Sequence, residues 1–493
     1  MVTRLVSAPR IDFANLRREL ELPTRFPLAA QREADAATAA VSADLATAVA
    51  AGTVADRTDI PFVTIDPATS RDLDQAMSLR QHAGGFQVQY AIADVSAYVP
   101  VGGHLEAETW QRGETVYLPD GSIPLHPRSL SEDAGSLLPD QVRRAVLWTI
   151  DLDRDGAATG VRLERAAVRS RARFDYPAVQ AAAAAGRLAE PIAALPALGR
   201  LLIQRGLDRG AINLPIPEQE VEPEGHGWRL VLRTSVEAEE WNAQISLLTG
   251  MAAAQIMLTG GVGLLRTMPA PRPEAVTRLR TAAAGLGIEW PDGWSVGQVM
   301  HRLAPDSPRG AAFVDHAAEI LRGAGYTAFD GTPPRQAGHG AVAASYAHVT
   351  APLRRLADRY ATEVCLALVA GQEVADWVRA ALPRLPEVMA NSGRRAATAQ
   401  RGAIDLAEAV LLAHRVGEEF DAAVLDVDDP GRGDGAAEAA GRRLGGVIAI
   451  DEPAVRARCV GVLALGERIR ARLIIADPVR RTVVFAASGD QAK

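Results

Sequence analysis

Three carboxylates crowd into nine residues of the segment Thr64-Ile65-Asp66-Pro67-Ala68-Thr69-Ser70-Arg71-Asp72-Leu73-Asp74-Gln75-Ala76. On an extended chain, side chains two apart share a face, so Asp72 and Asp74 point the same way. Asp66 precedes a Pro-containing turn that can fold it back toward them. Clustered carboxylates repel unless a cation neutralises them, and magnesium favours sparse oxygen sites completed by substrate phosphate. Taken alone, the Asp-Leu-Asp triplet leaves the matter open, because it also occurs in solvated turns and in metal-dependent glycosyl and phosphoryl transferases.

A second polar segment is Tyr346-Ala347-His348-Val349-Thr350-Ala351-Pro352-Leu353-Arg354-Arg355. Thr350 is the expected N-cap of a helix and Pro352 fits its first turn; Leu353, Leu356, Tyr360 and Val364 follow as a buried stripe. Arg354 and Arg355 are then expected in that first turn, where backbone N–H groups favour an anion. A solvated surface helix is the plainer reading. A third segment, Tyr117-Leu118-Pro119-Asp120-Gly121-Ser122-Ile123-Pro124-Leu125-His126-Pro127, is stiffened by three prolines and presents Tyr117 before a turn. A tyrosine held rigidly can stack on a base, although core packing is the commoner fate.

The elements that must position these residues change in texture along the chain. Residues 1–57 read as helical, a docking cap or a helix-turn-helix-like unit. From Ile60, β-branched runs separated by Gly, Pro and Asp turns predict strands, ending in one that carries Arg169, Arg171 and Arg173 on a single face. That face is either solvated or a wall for phosphates. Helices dominate from Tyr176 to about Val416, without regular βα alternation, so the block 58–410 reads as α+β. The tail 418–493 carries five short strands, the size of an OB barrel, with a long polar loop after the first strand.

Composition bounds the rest. Of 493 residues, 48% are hydrophobic and 23% charged, which suits a large core and excludes wholesale disorder. The net charge of −7 argues at face value against a polyanion-binding surface. Lys493 is the single lysine, so the cations are arginines, whose forked guanidiniums suit phosphate. Codon bias explains that preference more simply. Two cysteines, Cys365 and Cys459, exclude a disulfide framework and fit a reducing compartment. With no apolar leader and no apolar run long enough to span a bilayer, a cytoplasmic protein without membrane attachment is expected.

Taken together and in this order, the three segments resemble the catalytic domain of the ribonuclease II family of exoribonucleases. Phe62 to Ala76 is similar to its aspartate motif, and Tyr90 to Val95 to its following strand. Val116 to Leu130, with Ser131-Glu132-Asp133 and Ser136-Leu137-Leu138, resembles its tyrosine loop, and His348 to Tyr360 its helix signature. The tail resembles the family's C-terminal OB domain. The resemblance implies magnesium-dependent, processive 3′→5′ hydrolysis of single-stranded RNA to nucleoside 5′-monophosphates. It also implies roles: Asp66, Asp72 and Asp74 bind metal and activate water, Tyr117 stacks on the terminal nucleotide, and Tyr176 is a second active-site tyrosine. Arg354 is implied against the scissile phosphate, with Arg355 and His348 beside the RNA.

Three departures accompany the match. Gln75 stands where the family usually has a fourth aspartate. A glutamate of the family's acidic helix aligns with Gln244, while Glu239 and Glu240 lie a turn earlier. The usual N-terminal pair of cold-shock domains has no counterpart in residues 1–57, leaving the RNA entrance to the C-terminal barrel and the helical cap. That barrel is poor in stacking residues, so Arg456, Arg458, Arg468, Arg470 and Arg472 are expected to hold RNA. No obligate protein partner is implied and a monomer is expected. Gln75 motivates one alternative, a catalytically impaired RNA-binding relative; a nucleotide-sugar site would need an α/β nucleotide-binding domain that the pattern lacks.

Overall fold

The computed structural model describes residues 10–214, 216–303, 307–428 and 444–488. Its catalytic block is built on a closed five-stranded barrel of β1 (Ala55–Ile65), β2 (Gln75–His82), β3 (Gly85–Ala93), β4 (Val142–Asp153) and β5 (Ala158–Phe174). Neighbours pair antiparallel except β1 and β5, which close the barrel in parallel. Alternation sorts the side chains. Ala91, Ala145, Leu147, Ala166 and Val168 form one cluster, whereas Tyr90, Val146, Trp148 and Ile150 join a larger core with the helices.

Helices α4 (Leu195–Asp208), α5 (Glu237–Gly260) and α7 (Leu356–Val369) supply that larger core. Helix α5 approaches the 346–347 segment closely. A Cβ on Gly250 would stand 2.1 Å from the Tyr346 ring and 2.5 Å from the Ala347 carbonyl oxygen, so only glycine fits. The α+β architecture expected from the sequence is the one observed.

The N-terminal helices α1 (Ala14–Glu19) and α2 (Leu28–Ala50) pack on different partners. Helix α1 lies on α8 (Leu385–Leu412), and α2 lies on α3 (His104–Arg112). Ile11, Phe13, Leu16 and Leu22 share a core with Val116, Leu118 and Ile123 of the tyrosine loop and with Ala399, Ala403 and Ala407 of α8. Phe13 meets Trp228 edge-on at 5.6 Å. The residues before β1 are therefore part of the support beneath Tyr117.

The tail forms a second closed barrel of β6 (Glu419–Val427), β7 (Gly445–Ile450), β8 (Val455–Val460), β9 (Arg468–Asp477) and β10 (Thr482–Ala487). It is the five-stranded OB barrel expected from the sequence; the polar loop between its first two strands lies at 429–443, outside the described residues. Gln219 Nε2 reaches both Glu408 Oε1 (2.8 Å) and the Ala454 carbonyl (2.7 Å), joining a hairpin of the catalytic block to α8 and to the barrel. Helix α6 (Pro308–Ala318) packs on β6, with Arg456 paired to Asp315.

Phe13 is fully buried, so Phe13→Ala is expected to cost about 3–5 kcal/mol. A lower urea midpoint at unchanged slope would register this; an unchanged midpoint would remove the N-terminal segment from the folded core.

Candidate active site

The three aspartates occupy the connection between β1 and β2, and both ends of that loop are pinned. Asp66 N donates to the Phe174 carbonyl at 3.1 Å, and Ala93 N donates to the Asp74 carbonyl at 2.9 Å. Ser136 holds the middle: its hydroxyl accepts from Leu73 N (3.0 Å) and donates to the Arg71 carbonyl (2.9 Å). Arg173 Nη2 donates to the carbonyls of Pro67 (3.1 Å) and Ala68 (2.6 Å). Arg171 is likewise spent on a backbone carbonyl, that of Thr58, at 2.6 Å. Two of the three arginines on the face that the sequence left either solvated or turned to phosphates are thus spent on bracing backbone.

The carboxylates differ in their surroundings. Asp74 is 3% exposed; its Oδ1 accepts from Leu353 N at 2.7 Å, and Arg354 Nε lies 3.8 Å from its Oδ2. Asp72 Oδ2 accepts from the Tyr117 hydroxyl at 2.8 Å. Asp66 Oδ2 is buried with no hydrogen-bond partner among the described residues. Burial pushes the Asp66 carboxyl up to about 7, against the opposing charge of Arg173 and with the help of Asp72. Burial also holds Asp74 well above the usual carboxylate range, Arg354 opposing it. Among the described residues, no three His, Cys, Asp or Glu side chains close into a ready-made metal cage. The orphaned Asp66 oxygen and the anionic cluster nevertheless suit a hard cation that completes its shell with water and phosphate.

Tyr117 reaches Asp72 because of strand periodicity. Val116 and Leu118 are buried in the core beneath the hairpin, so the residue between them faces the opposite way, and Tyr117 is 49% exposed. Arg17 forks onto Asp120 at the hairpin turn. Backbone bonds stitch this loop to the arginine segment: Thr115 N to the Arg354 carbonyl (3.0 Å) and Leu356 N to the Gly113 carbonyl (2.9 Å). His126 Nδ1 adds a contact to the Leu353 carbonyl at 3.0 Å, and burial lowers its pKa to about 4, so the ring is neutral.

The arginine segment departs from the sequence expectation. Helix α7 starts at Leu356, and Thr350 caps nothing; Arg355 holds the cap position in extended conformation (φ −133°, ψ 125°). Residues preceding proline avoid helical backbone, so Ala351 cannot open a helix through Pro352. The Asp358 carboxylate instead draws the turn back, accepting from Ala351 N at 2.7 Å and from Arg355 through both Nε and Nη2 at 2.9 Å. The apolar stripe Leu353, Leu356, Tyr360 and Val364 is buried as expected.

Asp66, Asp72, Asp74, Tyr117 and Arg354 thus converge, with Tyr176 near Asp66. The Tyr176 hydroxyl accepts from Asn242 Nδ2 at 3.3 Å, and burial pushes it up to about 12. Arg355, next to Arg354, is bound to Asp358, and His348 stands apart. The His348 ring packs edge-on against Tyr326 and Tyr346, its Nδ1 is 2.6 Å from the Tyr326 hydroxyl, and burial keeps it well below its ordinary pKa.

Gln75 is built into the site by hydrogen bonds. Its Nε2 donates to the Thr350 carbonyl at 2.6 Å, and its Oε1 accepts from the Tyr90 hydroxyl at 2.6 Å, which also lies 2.9 Å from Ser246 Oγ. An aspartate here would lack the donor. Of the acidic helix, Glu239 pairs with Arg233, while Glu240, Asn242, Gln244 and Ser246 line a cavity of about 760 Å³ beside Tyr176 and Arg354. Sequence reasoning assigned no role to Ser136, His126, Tyr90, Asn242 or Ser246. Of these, Tyr90, His126 and Ser136 lie in stretches singled out by the family match.

The barrel arginines also differ from expectation, since every one faces an acid. Arg456 pairs with Asp315 and Arg458 with Asp428; Arg468 lies 3.5 Å from Asp451, Arg470 3.2 Å from Asp421 and Arg472 3.3 Å from Glu419. The last two pairs sit directly opposite on β6 and β9. RNA phosphates would have to displace these carboxylates.

Comparisons with known proteins agree with this fold. The RNB domain model matches residues 54–370, and the model of the RNase II-type exonuclease C-terminal S1 domain matches residues 418–488. The chain is 29% identical over 313 residues to the exosome complex exonuclease RRP44 homolog A of Arabidopsis thaliana, covering 60% of this chain and 33% of that protein. It is 28% identical over 356 residues to ribonuclease R of Escherichia coli, covering 69% of this chain and 42% of that one. The chain therefore spans less than half the length of these two relatives. Among solved structures, the apo form of Mycoplasma genitalium RNase R superposes with a TM-score of 0.76 at 21% identity, covering 88% of this chain and 72% of that one. Yeast Ssd1, described as a pseudonuclease, shares the fold at a TM-score of 0.65 and 15% identity, covering 87% of this chain and 52% of that one. A barrel whose β1–β2 loop gathers three aspartates beneath a tyrosine hairpin, followed by an S1 barrel, makes this chain a member of the RNB-domain family.

Proposed function

We propose that the protein is a processive 3′→5′ exoribonuclease that hydrolyses single-stranded RNA to nucleoside 5′-monophosphates in RNA degradation or processing. The observation that carries this reading is the convergence of Asp66, Asp72 and Asp74 with Tyr117 and Arg354, residues far apart in sequence. Fold alone does not carry it, because one fold hosts active and inactive proteins. The retained carboxylates and arginine also weigh against an impaired RNA-binding relative.

In this reading the 3′-terminal nucleotide lies against Tyr117 and Tyr176, which closes the end of the path and aligns one phosphodiester with the aspartates. Water attacks that phosphorus and the bond to the upstream 3′ oxygen breaks, so the phosphate leaves on the 5′ position of the released nucleotide. Arg354, half-exposed beside Asp74, offers its guanidinium to the charge that builds on the phosphate oxygens. Asp66, Asp72 and Asp74 would hold magnesium, which supplies charge neutralisation and a more acidic water. Gln75 orients rather than ligates, fixing the Thr350 carbonyl behind Arg354. A reducing, cytoplasmic setting fits Cys365 and Cys459, both buried as free thiols, and among the described residues no helix is long and apolar enough to cross a membrane. A monomer suffices for a site built from one chain.

Incubating 5′-labelled oligo(A) with the protein and magnesium is expected to shorten the label stepwise and release AMP. Asp74→Asn should slow this by about 10³-fold while still binding RNA. Binding without shortening in the wild type would establish the impaired relative instead.

The raised carboxyls make a second expectation. A group whose pKa is raised on folding binds protons more tightly in the native state, so its stability contribution is lost as pH rises through the folded value. For metal-free protein the melting temperature should fall as pH rises through about 7, the range of Asp66. Glu408, raised by burial to about 7, adds in the same direction but lies in α8, at the contact with the S1 barrel. Magnesium should therefore flatten the aspartate part of the slope only. An identical pH profile with and without magnesium would remove the aspartates as its ligands.

A further inference from the structure

A second cavity, of about 710 Å³, runs along α5 between α4, Gly156 and the start of β5 in the catalytic barrel, and the end of α7 at Leu368 and Val369. Its wall is largely apolar, with Val161, Leu202, Leu248, Met251 and Ile256, and its volume lies within the ~300–1,000 Å³ of small-molecule sites. Two guanidiniums, Arg205 and Arg209, stand on it. Arg205 Nη1 donates to the Asp155 carbonyl at 2.9 Å; Arg209 Nε donates to the Val342 carbonyl at 2.9 Å and its Nη1 to the Arg205 carbonyl at 3.4 Å. These partners are neutral carbonyls, and among the described residues neither arginine forms an ion pair. Burial, and then the charge of Arg205, hold the Arg209 guanidinium below its ordinary pKa. Uncompensated cations against an apolar wall are costly to keep, which points to an anionic ligand with an apolar face.

Arg209 and Gln244 line this cavity and the active-site cavity alike, so their side chains form the partition between the two. That adjacency matters for an enzyme that keeps its polymer bound between cuts. The shortened RNA still fills the path by which it entered, and the released nucleotide must leave by another. A nucleoside 5′-monophosphate combines a phosphate dianion with a flat, largely apolar base. We propose that the cavity is the exit vestibule for this product, which passes between Arg209 and Gln244, rests its phosphate on Arg205 and Arg209, and lays its base on Met251 and Ile256. The inference rests on the exonuclease reading above; the binding site itself does not.

Two variants separate exit from chemistry: Arg205→Glu, which reverses the charge outside the active-site cavity, and Met251→Trp, which fills the vestibule without changing charge. With full-length protein, magnesium and oligo(A), the first cleavage under single-turnover conditions is expected to stay within about twofold of wild type. The steady-state rate should drop about tenfold in both variants, as expected when a charge-assisted contact or the space it needs is lost. Equilibrium dialysis with radiolabelled AMP should show about tenfold weaker binding to Arg205→Glu than to wild type. Steady-state rates equal to wild type in both variants, with melting temperatures confirming that they fold, would overturn the exit route. Undiminished AMP binding by Arg205→Glu would overturn the site. Should the wild type release no mononucleotide at all, the exonuclease reading fails instead, while AMP binding that depends on Arg205 would still support the site.

Discussion

Concentrated negative charge in a nearly dry pocket is the constraint around which this molecule is arranged. Three carboxylates lie in one short loop, and burial drives two of them, Asp66 and Asp74, toward protonation. The surroundings counter this with fixed dipoles and cations: Leu353 N on Asp74, Arg354 beside it, and Arg173 near Asp66. Arg173 does two things at once, since its guanidinium also ties down the Pro67 and Ala68 carbonyls. A loop left free would relax the repulsion by opening, and Ser136 at its middle prevents that.

Two distant stretches reach that loop, the tyrosine hairpin through Tyr117 on Asp72 and the arginine turn through Leu353 N on Asp74. The tyrosine loop and the arginine turn share hydrogen bonds from Thr115 and Leu356, and His126 braces the same turn as a neutral ring. Beneath them, Phe13 and Leu16 fill the core that sets the hairpin's facing. The N-terminal segment thus acts on Tyr117 through packing. Such an arrangement keeps functional side chains on rigid supports, which positioning chemistry requires.

Charge has to be read at the level of individual partners. The net charge of −7 says nothing of partners: all five arginines that the S1 barrel was expected to offer RNA are answered by acids. Exposed pairs of this kind are worth about 0–1 kcal/mol each and exchange readily, so they temper affinity without forbidding contact. Arg205 and Arg209, which among the described residues face backbone carbonyls and no acid, border the cavity along α5.

Much of the fold was legible from one sequence, because alternation and turn residues report burial locally. The strands of both barrels, the helical middle and the stripe Leu353, Leu356, Tyr360 and Val364 all follow from such patterns. The types and spacing of Asp66, Asp72 and Asp74 determined by themselves that a cation-hungry cluster exists, and the order of the motifs identified the family. What no local pattern could decide was partnership. Arg355 and Arg354 are adjacent and chemically identical, yet Asp358 captures one and leaves the other beside Asp74. Gln75 looks like a lost metal ligand until Tyr90 and Thr350 are seen to use both ends of its amide. Which group a side chain meets depends on contacts closed across hundreds of residues, and those exist only once the barrel has folded.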